Sequence, residues 1–213
     1  QFSALASMLY FAERCYCDAV DEAWMDARAK QCFGTDFATL MAFDLPDSLP
    51  ETTVEQVEKP KNPSKYLLYN DLLERFMDCH MNRETAAQAY AAHATRLMQL
   101  SKDHSFGYAL ETLGRLCLVL SIKCDMGWRL YEAYQAGDKT ALSTLANDAI
   151  PQLLSELEAF LAAFRRQWYR ENKTFGFITQ EIRIGGLMER IRSVRALLNA
   201  YLNGEVDRIE ELE

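Results

Sequence analysis

The densest set of side chains able to recognise a ligand lies in "WYRENKTFGF", residues 168–177. Trp168, Tyr169, Phe175 and Phe177 supply flat rings, and Arg170, Glu171, Asn172 and Lys173 supply charge and hydrogen bonds where a helix must end. Such a mixture suits stacking on a sugar or burial at a subunit contact. It equally fits a helix end locked by its own aromatics. A second block is "NPSKYLLYND", residues 62–71, in which an Asn-Pro turn delivers Tyr66, Leu67, Leu68 and Tyr69 in one run. That run suits a segment wedged between two bodies, or plain core packing at a helix start. The candidates for a substrate rim or an interface are therefore Trp168, Tyr169, Asn172, Lys173, Phe175, Tyr66 and Tyr69.

Catalytic constellations are harder to assemble. The histidines are His80, His93 and His104, and none neighbours a serine or cysteine in a nucleophile elbow. Cys15 and Cys17 stand two apart, roughly 200° apart on a helix, and Cys79 and His80 are neighbours pointing in different directions, so neither pair chelates from a helix. Cys117 and Cys124 share a face at core spacing, where cysteine acts as a small hydrophobe. No metal ligand set and no cofactor is expected. Gly185-Gly186 lacks the pattern of a phosphate loop and lies inside helical periodicity. Glycine there costs about 1 kcal/mol relative to alanine, so a close helix or backbone approach is expected to offset it. By spacing alone the chain reads as a noncatalytic helical module.

The elements that must position these residues are helices. Apolar residues recur at helical spacing, and alternating Val/Ile/Thr runs are missing, so the fold class is all-α, an irregular bundle of about seven helices. Helices are predicted over Ser3–Tyr16 and Asp21–Phe33, the latter closed by Gly34, with a short third after Thr35. Residues 44–63 hold four of the five prolines and read as an extended connector. Further helices are predicted from Tyr66 or Asp71 to Met77, from Asn82 to Leu100, and over Phe106–Tyr134. Asp138 caps the next, which Pro151 kinks or splits, and the last runs over Thr179–Leu202. Residues 205–213 read as a charged tail.

The 213 residues are 49% hydrophobic and carry a net charge of −8, from 23 basic and 31 acidic side chains. That balance provides no broad positive field, so neither nucleic acid nor an anionic membrane surface is an expected partner. The longest apolar run, Leu116–Ile122, is far below the roughly 20 residues that span a bilayer. All six cysteines are expected as free thiols in a reducing, cytoplasmic compartment.

Several motifs add to this reading. "NPSKYLLYNDLL", "ENKTFGF", "IRIGGLMERI" and the ending "YLNGEVDRIEELE" resemble the C-terminal helical region of the intracellular exo-β-N-acetylglucosaminidases of glycoside hydrolase family 20. "FSALASMLYFAE" is similar to the helix that follows the last barrel strand in those enzymes, so the resemblance runs through the whole chain in order. Thr174 departs from the family's "ENKPFG" form, which places a proline there.

The resemblance implies an enzyme of three parts: a small α/β domain, a (β/α)₈ barrel and a helical C-terminal domain. In that family the barrel carries an adjacent Asp-Glu pair; Glu protonates the glycosidic oxygen and Asp orients the substrate's acetamido group as nucleophile. No position here matches that pair. Asp21-Glu22 is adjacent and acidic but sits at a helix start, where acidic charge is ordinary. The resemblance thus implies a noncatalytic domain, with 1–45 at the closing edge of the barrel, 46–63 a connector and 64–213 a bundle. The expected partners are its own barrel, a second subunit in a homodimer, and carbohydrate through the parent enzyme. The alternative is a free-standing helical interaction module.

Overall fold

A computed structural model describes residues 2–48, 62–76 and 82–213, and those residues form helices without a β-strand among them. The expected all-α class is therefore observed. Three helices come first: α1 (Leu5–Arg14), α2 (Glu22–Phe33) and α3 (Phe37–Ala42). The Asp21 carboxylate accepts from the Trp24 amide at 2.8 Å and so caps α2, while Asp36 caps α3 by accepting from the Thr39 amide. Gly34, at φ +69°, takes the left-handed conformation that ends α2, where a side chain would be strained. Ala6, Leu9, Met25, Ala29 and Leu40 form a small core of their own. The buried Glu13 carboxylate ties α1 to α2 by accepting from Trp24 Nε1 at 2.8 Å and Arg28 Nε at 2.7 Å. The Arg28 hydrogen bond holds that carboxyl below its ordinary pKa.

The larger core belongs to α4 (Pro63–Tyr69), α5 (Ala86–Leu100), α6 (Gly107–Lys123), α7 (Met126–Gln135), α8 (Lys139–Thr144), α9 (Ile150–Glu171) and α10 (Phe177–Leu202). Helix α6 is central, packed on α5 and α9, and α10 packs on α9 as well. Its position follows from apolar residues on nearly every face. Aromatic contacts seat the start of the chain on the larger core: Phe2 stacks on Phe43 with ring centroids 5.1 Å apart and meets Phe106 at 5.5 Å. His104 lies stacked on Phe106 and its Nε2 hydrogen-bonds the buried Thr35 hydroxyl.

Four expectations need correction. Residues 205–213 are not a tail: Ile209 and Leu212 are buried in the larger core, the Ile209 amide donates to the Tyr134 hydroxyl at 3.0 Å, and the Leu212 carbonyl accepts from Gln135 at 2.7 Å. The helix expected to end at Met77 instead spans Pro63–Tyr69, and Asn70–Arg75 leaves helical geometry while the Asp71 carboxylate accepts from the Leu73 amide at 2.9 Å. The single helix expected over Phe106–Tyr134 breaks at Cys124–Asp125 into α6 and α7. That break presses Gly127 onto the Leu72 carbonyl, where an added Cβ would stand 3.0 Å from the oxygen. Gly185 and Gly186 cross nothing among the described residues, since a Cβ on either meets none of their atoms within 4 Å.

The expected disturbance at Pro151 takes the form of a π turn over Leu145–Ala149, directly before α9. Proline has no N–H and crowds the carbonyl four residues earlier, and the wider turn makes room for it. Arg195 Nε reaches in from α10 and donates to the Ala146 carbonyl at 2.9 Å. The connector residues 49–61 and residues 77–81, which include Cys79 and His80, lie outside the described residues.

Candidate functional site

The candidates fall on two segments that both lean on the N-terminal half of α10. In the first, α9 ends at Glu171, and Trp168 folds back over the turn beyond it. Its indole N–H donates to the Lys173 carbonyl at 2.9 Å, and the Asn172 amide donates to the Trp168 carbonyl at 2.8 Å. The indole is half-buried, meeting Phe164 edge-on at 6.3 Å and Phe177 at 5.7 Å. Gly176 makes the reversal possible: its φ is +103°, and a Cβ would come 3.6 Å from the Trp168 ring. Phe177 is buried beneath Phe164, Trp168 and Tyr169. Thr174 is exposed in this turn and its carbonyl accepts from the Phe177 amide.

The remaining residues of the turn face solvent. Asn172 and Lys173 are exposed, Tyr169 is about half exposed, and Phe175 is 91% exposed. Around them stand the Arg165–Glu181 ion pair at 2.8 Å, the Arg166–Glu111 pair at 2.8 Å, and the Arg170 guanidinium 4.0 Å above the Tyr108 ring. Burial, together with the Glu171 carboxylate, holds the Tyr108 hydroxyl above its ordinary pKa. Trp168 thus locks the helix end, while Tyr169, Asn172, Lys173 and Phe175 stay at the surface.

The second segment divides its block of four apolar residues. Leu67 and Leu68 are buried, Tyr66 is half exposed, and Tyr69 lies under the Arg183 guanidinium of α10 at 4.8 Å. Pro63 opens α4, its fixed φ suiting a first helical turn. The Asp47 carboxylate accepts from both the Ser64 amide at 3.0 Å and the Ser64 hydroxyl at 2.6 Å. At the other end, Lys123 Nζ donates to the Leu67 carbonyl at 2.8 Å and to the Asn70 carbonyl. A lysine only 3% exposed is expensive, and here it satisfies the carbonyls at the end of α4. Burial pushes its ammonium down to about 7, against the opposing pull of Asp71. Asp71 is partly buried, which raises its pKa, yet hydrogen bonds from Arg190 and the Leu73 amide outweigh that and hold it below the usual carboxylate range.

Lys123, Asp71 and Arg190 were not singled out by spacing. The signal in the sequence was the one lysine in "LCLVLSIKC", a charge set in an apolar run. Arg75 and Arg83 are a second such group: their guanidinium groups sit 3.5 Å above the Tyr131 ring and 3.7 Å above the Trp128 ring. Among the described residues no group of three His, Cys, Asp or Glu side chains is placed to hold a metal ion.

Residues 36–213 match the family model described as the glycoside hydrolase 20C C-terminal domain. The chain belongs to that family. No curated protein matches the chain. As a glycoside hydrolase 20C C-terminal domain it holds both candidate segments inside the matched region, whereas α1 and α2 precede it. No helix among the described residues of this domain is long and apolar enough to cross a membrane.

Proposed function

We propose that this chain is the noncatalytic C-terminal part of a cytoplasmic β-N-acetylhexosaminidase that removes terminal β-linked N-acetylglucosamine. Hydrolysis takes place in an upstream barrel, where the substrate's own acetamido group acts as nucleophile. The observation that carries this reading is the family match over 36–213. Supporting the arrangement, α1 is apolar on two sides: Ala6 and Leu9 face the small core, while Met8 and Phe11 stand exposed. A helix apolar on opposite sides is one set between two bodies, and the barrel is the second body. The bundle then packs on the barrel and on a second subunit, with Tyr169, Asn172, Lys173 and Phe175 at a substrate rim or contact edge.

The test compares chain 1–213 with the same chain joined to its upstream sequence, using an aryl β-N-acetylglucosaminide. Turnover is expected only from the longer protein, and substituting the barrel's general acid should abolish it. A longer protein with no glycosidase activity would refute the assignment and favour a free-standing interaction module. Turnover by purified 1–213 alone would refute the noncatalytic role.

A further inference from the structure

Lys123, the last residue of α6, is buried against the segment that follows α4. Its Nζ donates to the Leu67 carbonyl at 2.8 Å and to the Asn70 carbonyl, and among the described residues no carboxylate pairs with it. Two acceptors satisfy the two N–H groups of a neutral amine, whereas an ammonium would hold a third proton without a partner in a dry site. The Asp71 carboxylate, one residue beyond Asn70, is engaged elsewhere. Its Oδ2 accepts from Arg190 Nε at 2.6 Å, and its Oδ1 accepts from the Leu73 amide at 2.9 Å and from the second arm of Arg190 at 3.2 Å.

We infer that Lys123 is a proton-operated latch on this segment: the observed arrangement belongs to the neutral amine, and on protonation the Asp71 carboxylate leaves Arg190 and the Leu73 amide to pair with Lys123. The step takes one proton from solvent and breaks no covalent bond. Every ion keeps a partner through it, because Arg190 already has Glu211 at 4.0 Å and feels Glu74 as well. Two arrangements with the same number of satisfied charges make the element bistable. Asp71 is held below the usual carboxylate range, so it is ionised and able to move when the amine takes up its proton. The other groups facing Lys123 do not compete: the Cys124 thiol on its own helix is pushed up by burial to about 12, α4 offers only carbonyls, and at the start of α7 Asp125 pairs with Arg129 at 3.8 Å. Burial lowers the Lys123 ammonium to about 7, so the exchange falls near neutrality. The segment it governs, Asn70–Arg75, has no helix of its own and joins α4, with its half-exposed Tyr66, to the exposed Phe76. The latch thus makes that aromatic face sensitive to protons, whatever substrate the parent enzyme takes.

The test is hydrogen–deuterium exchange on the full-length protein, read on the peptide spanning residues 70–76 and corrected for the intrinsic pH dependence of exchange. The Leu73 amide is the direct reporter, since it loses its acceptor when Asp71 moves. In the wild type its protection should fall several-fold from about pH 8 to about pH 6. Lys123→Met should abolish that step. Asp71 and Arg190 are partly exposed, so their variants should fold even where Lys123→Met does not. Asp71→Asn, which has no charge to transfer, should show no step either, and Arg190→Gln, which frees Asp71, should show the acid-form exchange already at about pH 8. Wild-type protection that is flat with pH, a step that survives in Lys123→Met or Asp71→Asn, or an Arg190→Gln profile equal to that of the wild type would overturn the latch.

Discussion

Replacing Lys123 by methionine removes a charge that the fold has taken out of water and also the donor for two carbonyls. The side chain is 3% exposed and its Nζ serves Leu67 O and Asn70 O, so the variant leaves both acceptors without that partner. An unsatisfied buried polar group costs about 1–3 kcal/mol. Relief of the buried ammonium offsets part of this, because apolar replacements of buried charge are often neutral. A net loss of about 1–3 kcal/mol near neutral pH is expected. The pH dependence discriminates more sharply. The folded ammonium is pushed down to about 7 while the unfolded lysine titrates near 10.5, so the unfolded chain binds more protons between those values. Stability linked to Lys123 is therefore fully present above about 10.5, and is lost as pH falls through about 7. Between about pH 7 and about pH 8.5 the difference in bound protons rises from about one half to nearly one, which amounts to about 1–2 kcal/mol gained by the wild type.

Cys117 and Cys124 work in the opposite sense: burial pushes both thiols up to about 12, and their contribution falls away as pH rises above their unfolded values. Comparing the wild type with Lys123→Met cancels that background. Urea unfolding monitored by circular dichroism at the two pH values gives both free energies. The gap between wild type and variant should widen by about 1–2 kcal/mol at the higher pH. Parallel profiles would refute the reasoning, because they would show that Lys123 titrates no differently in the folded and unfolded chains.

The glycines offer a contrast in sign. Gly127→Ala should lower the melting temperature, because its methyl would stand 3.0 Å from the Leu72 carbonyl, whereas Gly185→Ala should raise that of the isolated subunit by adding about 1 kcal/mol of helix propensity in open space. At the turn, Trp168→Ala should cost about 2–4 kcal/mol in a melt, while the pair Asn172→Ala with Lys173→Ala should stay within about 1 kcal/mol of wild type. In the full-length protein that pair should reduce kcat/KM or dimer affinity several-fold, and unchanged kinetics and association would leave the turn a helix end only. Thiol titration in denaturant without reductant should count all six cysteines, five of which, Cys15, Cys17, Cys32, Cys117 and Cys124, are free in the structure. A count of four or fewer would reveal a disulfide.

The sequence by itself determined what depends on neighbours along the chain. The all-α class, the cap at Asp21, the stop at Gly34, the start at Asp138 and the disturbance at Pro151 are local, since each reflects hydrogen bonds or steric contacts within a turn or two. The turn at Trp168 was legible for the same reason: its aromatic and polar residues lie close together in the chain, and its closing bond spans five residues. What only the tertiary structure decided is which way each side chain faces when the alternatives are local equals. Tyr66 to Tyr69 read as one apolar block, yet Leu67 and Leu68 are buried in the larger core while Tyr66 is half exposed, and Lys123, 56 and 53 positions from Leu67 and Asn70, satisfies the carbonyls there. Helix α6 was expected to run on through Cys124, and the approach of Gly127 to Leu72 accompanies its break. Gly185 and Gly186 promised a crossing, and no described residue comes close to either. Burial is a property of partners distant in sequence, so spacing marked these residues as special without saying what stands opposite them.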